Sequence, residues 1–339
     1  MTVGLKDVAA LAGVSIKTVS NVVNGQKVRP ETLDRVQRAI DELRYQPNLT
    51  ARNLRTGRTG VIALAVPELT SPYFAELARS IIAAAAKQGW TVLVDETDGL
   101  RERELPVLHG IRSHLIDGAI FSPLALGREE PATLRPDLPM VLLGERLFPG
   151  HVDHVAFDNV AAAQSAVQHL LERGRSRIAA IGLQTTPVGE TARLRLAGWR
   201  AALVAAGQAP DDDLIVPAAR WHREDGYRAT RELLASGADV DALFCCNDLL
   251  ALGALRALAE AGLRVPEDVA VIGIDDIEES RYVSPSLTTI SPDKQVIAGE
   301  AVRLLALRIQ QRRTPDLATT GPDHHDVKTP FELIVREST

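Results

Sequence analysis

The sequence has few of the residues that mark secreted, redox-active or membrane proteins. Only two of its 339 residues are cysteines, adjacent at Cys245 and Cys246, so a disulfide framework is excluded and we expect both thiols to be buried in a strand. Its apolar runs, such as SIIAAAA, are shorter than the ~18–20 residues that cross a membrane. The N-terminal sequence MTVGLKDVAA has no basic region followed by an apolar stretch, which predicts no signal peptide and a cytoplasmic location.

The common catalytic motifs are also missing. Ser122 has no Gly-x-Ser-x-Gly context, and neither a His-Glu-x-x-His motif nor a Walker loop occurs. His324 and His325 lie in the polar stretch GPDHHDV, where we expect a loop rather than a metal site. We therefore predict that the protein is not an enzyme and holds no metal or cofactor.

Charge is unevenly distributed along the chain. Residues 1–60 contain ten Lys and Arg against five Asp and Glu, and this net charge of +5 within a total of −6 leaves −11 for the remainder. A basic N-terminal segment on an acidic body is typical of proteins that bind a polyanion.

The apolar pattern changes along the chain. Residues 1–46 have helical periodicity, with Leu5, Val8, Ala9 and Ala12 on one face of a first helix and Pro30 opening a third helix. Residues 47–58, PNLTARNLRTGR, have the composition of a linker. From residue 60, near-continuous apolar strands alternate with helices, which predicts an α/β core of two doubly wound parallel-sheet lobes. Ligands of such folds bind at the carboxyl ends of the strands.

The stretch GVSIKTVSNVVNG, residues 13–25, predicts a second helix with two unlike faces. Ser15 is a suitable N-cap, and Val19, Val22 and Val23 occupy one side. The other side is a polar stripe of four residues, Lys17, Ser20, Asn21 and Asn24. Helix, tight turn and polar second helix form a helix-turn-helix, in which Lys suits guanine and Asn suits adenine. The alternative is a small helical domain with a solvated face.

Several segments together resemble the LacI family of bacterial transcription regulators. LKDVAALAGVSIKTVSNVVNG is similar to its helix-turn-helix, and YQPNLTARNLRTGRTGVIALAVP is similar to its hinge. SPYFAEL, DGAIFSP, RLRLAGWRAAL, NDLLALGALRAL, VIGIDD and SLTTI are similar to its core segments in the same order. The resemblance covers the whole chain and implies a small all-α helix-turn-helix head and a periplasmic-binding-protein-like core.

The resemblance also divides the chain. It implies a DNA-binding domain at residues 1–46, a hinge at 47–58, and an effector-binding and dimerisation core at 59–339. We expect lobe 1 to comprise about 59–158 and 288–319, and lobe 2 about 159–287 and 320–339.

The resemblance assigns DNA contacts to the head and hinge. Major-groove residues would be Ile16, Lys17, Ser20 and Asn21. In the family the hinge becomes a helix on the operator, and the matching wedge in the minor groove would here be Leu54, with Ala51 beside it and Arg55 as a further minor-groove contact. Phosphate contacts, which supply affinity but little specificity, would be Thr2, Lys6, Arg52 and Arg58.

The resemblance further implies an effector site between the lobes. Its candidates are Ser71, Phe74, Ser122, Glu145, Arg146, Arg195, Trp221, Asn247 and Asp275. Alternatives remain open: Arg195 as a surface cation, Trp221 as a packed or half-exposed aromatic, Asp275 as a helix cap, and Glu145 paired with Arg146. Sugar-responsive members often carry an aspartate near Gly144 and a glutamine near Pro292, and this sequence has neither.

The resulting hypothesis is a cytoplasmic, nucleoid-associated homodimer that represses transcription and leaves a palindromic operator when a small sugar-like effector binds. One alternative is a regulator that responds to a purine or phosphoprotein corepressor, and another is a solute-binding protein. The C-terminus FELIVREST has no heptad pattern for tetramerisation.

Overall fold

The computed structural model describes residues 3–23, 26–45, 59–110, 115–126, 138–144, 152–184, 190–313 and 324–339. The chain divides into two compact units, Met1–Thr59 and Gly60–Thr339, called the head and the core below. Among the described residues, no helix is both long and apolar enough to cross a membrane.

The described part of the head is a cluster of three helices, α1 (Leu5–Ala12), α2 (Ile16–Val23) and α3 (Pro30–Glu42). Gly13 ends α1 in the left-handed conformation, with φ 62°, which a glycine adopts without steric cost. The predicted N-cap is confirmed, because Ser15 Oγ accepts a hydrogen bond from the backbone N–H of Thr18 at 3.1 Å. The small apolar core consists of Val8, Ala9, Ala12, Val19, Val36, Ala39 and Tyr45.

The core contains two six-stranded sheets. Lobe 1 has the strand order β11-β5-β4-β3-β1-β2, and lobe 2 has the order β12-β10-β9-β8-β6-β7. The lobe 1 strands are β1 (Val61–Val66), β2 (Thr91–Glu96), β3 (Gly118–Phe121), β4 (Met140–Leu143), β5 (Asp153–Phe157) and β11 (Asp326–Thr329). The lobe 2 strands are β6 (Ile178–Leu183), β7 (Ile215–Pro217), β8 (Ala242–Cys245), β9 (Ala270–Ile274), β10 (Thr288–Pro292) and β12 (Phe331–Ile334). All pairs are parallel except β10 with β12.

Helices accompany these strands. They are α4 (Pro72–Lys87), α5 (Arg101–Leu108), α6 (Asn159–Glu172), α7 (Glu190–Ala205), α8 (Arg223–Ala235), α9 (Asp248–Glu260), α10 (Glu279–Tyr282) and α11 (Lys294–Arg313). Strands β3 and β9 are buried along their whole length, as expected of parallel strands covered on both faces. The predicted α/β class with two parallel-sheet lobes is confirmed.

The predicted lobe boundaries near the C-terminus are wrong. Residues 288–292 were assigned to lobe 1, but they form β10, which pairs with β9 of lobe 2. Residues 326–329, assigned to lobe 2, form β11, which pairs with β5 of lobe 1. The chain therefore passes between the lobes after β5, after β10 and between β11 and β12, because a strand's partner is chosen by tertiary packing and not by its own apolar pattern.

The adjacent cysteines are buried as expected. Cys245 is fully buried at the end of β8, and Cys246 is 3% exposed. Burial raises the pKa of the Cys246 thiol to about 12, and the thiol therefore stays protonated and unreactive at neutral pH.

Candidate functional site

The carboxyl ends of strands from both sheets border one cavity of about 750 Å³. All seven predicted effector residues within the described ranges line it: Ser71, Phe74, Ser122, Arg195, Trp221, Asn247 and Asp275. Glu145 and Arg146 lie outside the described residues. The cavity lies at the carboxyl ends of the strands, as expected for doubly wound sheets, and its predicted residues are those that the resemblance implied.

Arg195 of α7 is buried beneath the cavity with 4% exposure. Its Nε donates to Asn159 Oδ1 at 2.6 Å, its Nη1 donates to the carbonyl oxygen of Cys246, and its Nη2 lies 3.9 Å from Asp275 Oδ1. Its guanidinium also lies 5.2 Å from the ring centroid of Trp221. A buried cation needs such partners to offset its lost hydration, so the interpretation of Arg195 as a surface cation is wrong.

Asp275 follows β9 and is 7% exposed. Its φ of 128° is rare for a residue with a side chain, and such strain persists mainly where surrounding contacts fix the backbone, often at functional sites. Its backbone N–H donates to Ile290 O at 2.8 Å, but its carboxylate accepts no hydrogen bond among the described residues. Burial, partly offset by Arg195, raises the pKa of Asp275 to about 7. The Asp275 carboxylate thus lines the cavity, and among the described residues no hydroxyl or N–H group donates a hydrogen bond to it.

The neighbouring aspartates have other roles. Asp248 accepts hydrogen bonds from Thr289 Oγ1 at 2.6 Å and Ser280 Oγ at 2.7 Å, and it joins α9 to strand β10 and helix α10. Asp276 accepts a bond from Arg336 Nη2 at 2.5 Å, which helps to lower the pKa of Asp276 against the effect of burial. Asp275 caps no described helix, since α10 begins at Glu279. The helix-cap interpretation of Asp275 is therefore wrong.

Asn247 and Trp221 are fixed in the lobe 2 wall. Asn247 Oδ1 caps α9 by accepting from Leu250 N at 2.9 Å, and its Nδ2 donates to Trp221 O at 3.1 Å. The Trp221 indole N–H donates to Gly182 O at 2.9 Å. A Cβ at Gly182 would lie 2.6 Å from Cys246 Cβ, so only glycine fits there. Trp221 is half-buried, packs against the buried apolar core and also lines the cavity, so its role in effector binding stays a prediction.

A buried carboxylate shapes the lobe 1 wall. Glu104 of α5 is 0% exposed and accepts hydrogen bonds from three consecutive backbone N–H groups, those of Leu124, Ala125 and Leu126, at 2.7, 2.9 and 3.0 Å. This segment follows β3 and includes Leu124, which lines the cavity beside Gly99. Glu104 therefore positions a wall of the cavity without touching its interior.

The head presents part of the predicted DNA-contacting face. Ile16 is 44% exposed, Lys17 is exposed and Asn21 is half-buried, while Lys6 of α1 is exposed. The prediction that Ser20 faces outward is wrong, because Ser20 is only 9% exposed. Helix α2 contacts both α1 and α3. A short helix that packs on two partners buries more of its circumference than the stripe of valines alone predicts.

Two family models match the chain. Residues 4–48 match the model of bacterial regulatory proteins of the lacI family, and residues 167–339 match that of the periplasmic binding protein-like domain. Over 337 residues, 98% of this chain and 98% of the relative, the sequence is 33% identical to the HTH-type transcriptional repressor PurR of Histophilus somni. The chain belongs to the LacI family.

Other members of the LacI family are similar over their whole length. The HTH-type transcriptional regulator CelR of Thermobifida fusca is 36% identical over 346 residues, 98% of this chain and 97% of the relative. The lac repressor dimer bound to operator and the anti-inducer ONPF superposes with a TM-score of 0.84 at 29% identity, over 100% of this chain and 99% of that one. A CelR–cellobiose complex gives a TM-score of 0.71 at 34% identity, over 99% and 100%. The predicted family, architecture and role as a DNA-binding transcriptional regulator rather than an enzyme are confirmed.

Sequence reasoning missed several residues around the cavity of this LacI-family regulator. They are charged residues near strand ends or at the start of α7: Glu68, Glu96, Asp98, Glu190, Arg220 and His222. His222 Nε2 of lobe 2 lies 2.8 Å from Glu68 Oε2 of lobe 1. Burial alone would raise the pKa of Glu68, but hydrogen bonds with Thr70 and His222 hold it below its usual value. The strand-end rule could have found some of these residues, since Glu68 and Asp98 each lie two residues after the end of β1 and β2.

The histidine pair has a structural contact in this LacI-family chain. His325 Nδ1 lies 3.2 Å from Asp153 Oδ1, and Arg308 binds the same carboxylate through Nε and Nη2 at 2.6 and 2.7 Å. These bonds tie β11 to β5 and α11. Within the described ranges, no three or more His, Cys, Asp or Glu side chains come together to hold a metal ion.

Six predicted DNA-contact residues of this LacI-family regulator lie outside the described residues. They are Thr2, Ala51, Arg52, Leu54, Arg55 and Arg58. Their assignment to the minor groove and to phosphates stays a prediction.

Proposed function

We propose that this protein is a homodimeric repressor that leaves a palindromic operator when a small sugar-like effector binds between its lobes. The observation that carries the proposal is the buried pair of Arg195 and Asp275, with a carboxylate that lines the cavity and accepts no hydrogen bond among the described residues. The similarity to a CelR–cellobiose complex supports a sugar, and the similarity to a lac repressor dimer on its operator supports a dimer on DNA.

The chemistry of the lobe 2 wall suits a polyol. A carboxylate such as Asp275 can accept bonds from two neighbouring hydroxyls, and the Asn247 amide can both donate and accept. The Trp221 ring offers a flat apolar face of the kind that packs on the C–H face of a sugar ring. Sugar hydroxyls would supply the donors that Asp275 lacks.

The position of the cavity supports coupling to DNA. Its walls come from both lobes. An effector therefore has its highest affinity for the arrangement of the lobes in which both walls contact it, and its binding favours that arrangement. The hinge, residues 47–58, lies directly before β1 of lobe 1 in the sequence. We propose that effector shifts the N-terminal lobes of the dimer, separates the two hinges and lowers operator affinity, with the protein acting in the cytoplasm on the nucleoid.

The proposal is tested by operator binding. Fragments of the source bacterium's genomic DNA are selected on the protein at low salt, and the affinity of a recovered fragment is then measured across salt and with a panel of sugars. We expect affinity to fall steeply with salt and to fall further with one sugar. Failure to retain any fragment at low salt would contradict a DNA-binding regulator and favour a solute-binding protein.

The sign of the ligand effect separates the remaining alternative. A purine or phosphoprotein corepressor would raise operator affinity instead of lowering it. The same titration therefore distinguishes release by a sugar from tightening by a corepressor.

A dimer face is indicated on lobe 1. Helix α4 exposes Ile82 at 45%, and the neighbouring edge strand β2 exposes Leu93 at 47% and Val94 at 40%. Strand β2 pairs only with β1 in the described sheet, and an exposed apolar edge of this kind is a common site of self-association. We propose that a second copy covers this face.

Ile82→Asp is expected to convert the dimer to monomer, because it places a charge within a desolvated apolar interface. Analytical ultracentrifugation measures the dissociation constant, which we expect to rise at least about 100-fold for a cost of ~3 kcal/mol or more. Val204→Asp is the matched control, since Val204 is 63% exposed at the end of α7 in lobe 2. Equal dissociation constants for the two variants would contradict the proposal that the dimer forms through this face.

Glu104→Gln is expected to weaken effector binding about tenfold with little change in the apo protein's operator affinity. The amide nitrogen of Gln cannot accept the bonds that Glu104 Oε1 or Oε2 accepts, so at least one wall N–H loses its partner at a cost of ~1–3 kcal/mol. Calorimetric titration measures the affinity, with Glu102→Gln on an exposed position of the same helix as control. Equal affinities in both variants would show that the wall does not depend on Glu104.

A further inference from the structure

We infer that the cavity takes a neutral ligand of at least two sugar units, with the second unit on lobe 1. The inference rests on the proposed sugar effector and narrows its class. We name the lobe 2 residues Arg195, Trp221, Asn247 and Asp275 the inner subsite, and the lobe 1 residues Glu96, Asp98, Gly99, Leu100 and Leu124 the outer subsite.

The volume of the cavity exceeds what one sugar ring fills. Pockets of about 300–1,000 Å³ typically enclose drug-sized ligands, and a disaccharide, with about 23 non-hydrogen atoms, has that size, whereas a hexose has about 12. The cavity measures about 750 Å³ and reaches from the inner subsite to residues that follow β2 and β3. A hexose has about half as many atoms and fills a smaller part of this volume.

The inner subsite is poorly suited to an anion. Each of the three guanidinium nitrogens of Arg195 faces a protein acceptor: Asn159, the Cys246 carbonyl or Asp275. A ligand phosphate would have to compete with these partners for Arg195 and would lie beside the acidic Asp275 side chain. A hydroxyl donor, in contrast, gains a bond to Asp275 without displacing any of them.

The rest of the lining strengthens this preference. Among the described lining residues, Glu68, Glu96, Asp98, Glu190 and Asp275 are acidic, and the arginines are Arg195 and Arg220. Asp98 is paired with Arg103 and Glu190 with Arg193. His222 is already paired with Glu68. In the described lining, Arg220 is thus the one arginine without a hydrogen bond to a described residue, and this lining favours neutral sugars over sugar phosphates, sugar acids and nucleotides.

The outer subsite offers acceptors for a second ring. Asp98 Oδ2 pairs with Arg103 and Glu96 Oε1 accepts from Leu69 N at 3.4 Å, so each carboxylate has a second oxygen to which no bond is made among the described residues. Asp98 and Gly99, with φ of 53° and 60°, form a left-handed turn against Leu124. The apolar side chains of Leu100 and Leu124 beside two carboxylates match the mixed surface of a sugar.

The inference is tested by calorimetric titration of the full-length chain with matched probes: cellobiose, maltose, lactose and trehalose, with glucose, galactose and glucose 6-phosphate. We expect at least one disaccharide to bind about 100-fold more tightly than its component monosaccharides, since each added bond to a carboxylate contributes about tenfold. We expect no binding of glucose 6-phosphate. A monosaccharide that binds as tightly as every disaccharide, or a preference for the phosphate, would overturn the inference.

Variants locate the second unit. Glu96→Ala/Asp98→Ala is expected to weaken the disaccharide at least about tenfold while leaving the monosaccharide affinity unchanged, because only the second ring loses acceptors. Asp275→Asn should weaken both ligands alike, and Glu102→Ala, exposed on α5, is the control. Operator affinity and melting temperature report whether each variant is folded. Equal losses for both ligands in the outer-subsite variant would overturn the inference.

The two proposals fail differently. If a monosaccharide alone binds and releases the operator, the sugar-responsive repressor stands and the two-unit ligand is wrong. If the chain binds its operator and no sugar of either size binds, both the sugar effector and this inference are wrong.

Discussion

Asp275→Asn is expected to yield a repressor that stays on its operator at effector concentrations that release the wild type. The substitution keeps the volume of the side chain but replaces one acceptor oxygen by a donor, next to the cationic Arg195. Hydrogen bonds to a charged group contribute ~1.5–3 kcal/mol each, so the loss of one or two predicts a decrease in effector affinity of about 10- to 100-fold or more. Calorimetric titration and effector-dependent operator release measure it.

The free energy of unfolding of the same variant, relative to that of the wild type, should increase as the pH rises. The pKa of Asp275 is about 7 in the folded chain against 3.8 for an ordinary aspartate, so the folded state holds an extra proton between these values. The cost of ionising Asp275 is therefore absent below about pH 4, grows as the pH rises and is complete above about pH 7. Relative to wild type, Asp275→Asn should gain on the order of 2 kcal/mol in free energy of unfolding between pH 5 and pH 8, measured by denaturant titration.

Asp276→Asn is a control at the neighbouring residue, and its effect on stability at neutral pH should have the opposite sign to that of Asp275→Asn. Arg336 and Arg281 hold the pKa of Asp276 below its usual value, so its ionised form stabilises the fold at neutral pH and this contribution is lost as the pH falls through the lowered pKa. We expect this variant to be less stable than wild type at pH 7 and to keep its effector affinity. A wild-type effector affinity in Asp275→Asn would contradict the proposed role of Asp275.

Binding of the effector should itself depend on pH. A hydroxyl that donates to Asp275 favours the ionised carboxylate, so effector affinity should increase from pH 6 to pH 8 in the wild type, and Asp275→Asn should abolish most of this dependence. Ionisation of Asp275 in the inner subsite is therefore unfavourable in the empty protein and favourable in the effector complex.

The position of the cavity at strand ends could be predicted from local chain order, whereas its individual residues came from the family resemblance. Parallel strands end at one edge of a sheet, and Ser122 and Asp275 come directly after β3 and β9 in the sequence. Glu104 could not be found in this way, since it lies on a helix and acts through the backbone of Leu124 to Leu126, 20–22 residues away. Nothing in the pattern around Glu104 distinguishes a buried anchor from the exposed Glu102 beside it.

Errors arose where packing involved more than one partner. The valines of α2 predict a single buried side, yet α2 contacts both α1 and α3, and Ser20 is buried as well. The strands β10 and β11 each have an ordinary strand pattern, but which sheet each joins depends on how the chain passes between the lobes. In both cases the local sequence specifies an element and its apolar face, while the number and identity of its neighbours are set by the tertiary fold.

In the head, Lys17→Ala/Asn21→Ala is expected to remove most of the discrimination between operator and unrelated DNA. A side chain paired with a base edge contributes ~1–3 kcal/mol each, so the double variant should lose about 100-fold in operator affinity and little in affinity for unrelated DNA. The head should remain folded, because Val19 keeps its buried position and alanine favours a helix.

Lys6→Ala separates base reading from phosphate binding. Lys6 is exposed on α1, and as a phosphate contact it should lower affinity for operator and unrelated DNA by the same factor and reduce the slope of log affinity against log salt by about one. Fluorescence anisotropy on both DNAs across a salt series measures the two effects. If the Lys17/Asn21 variant loses affinity equally on both DNAs, its residues bind phosphates, and the sequence-reading surface of α2 must be sought at Ile16 and its neighbours.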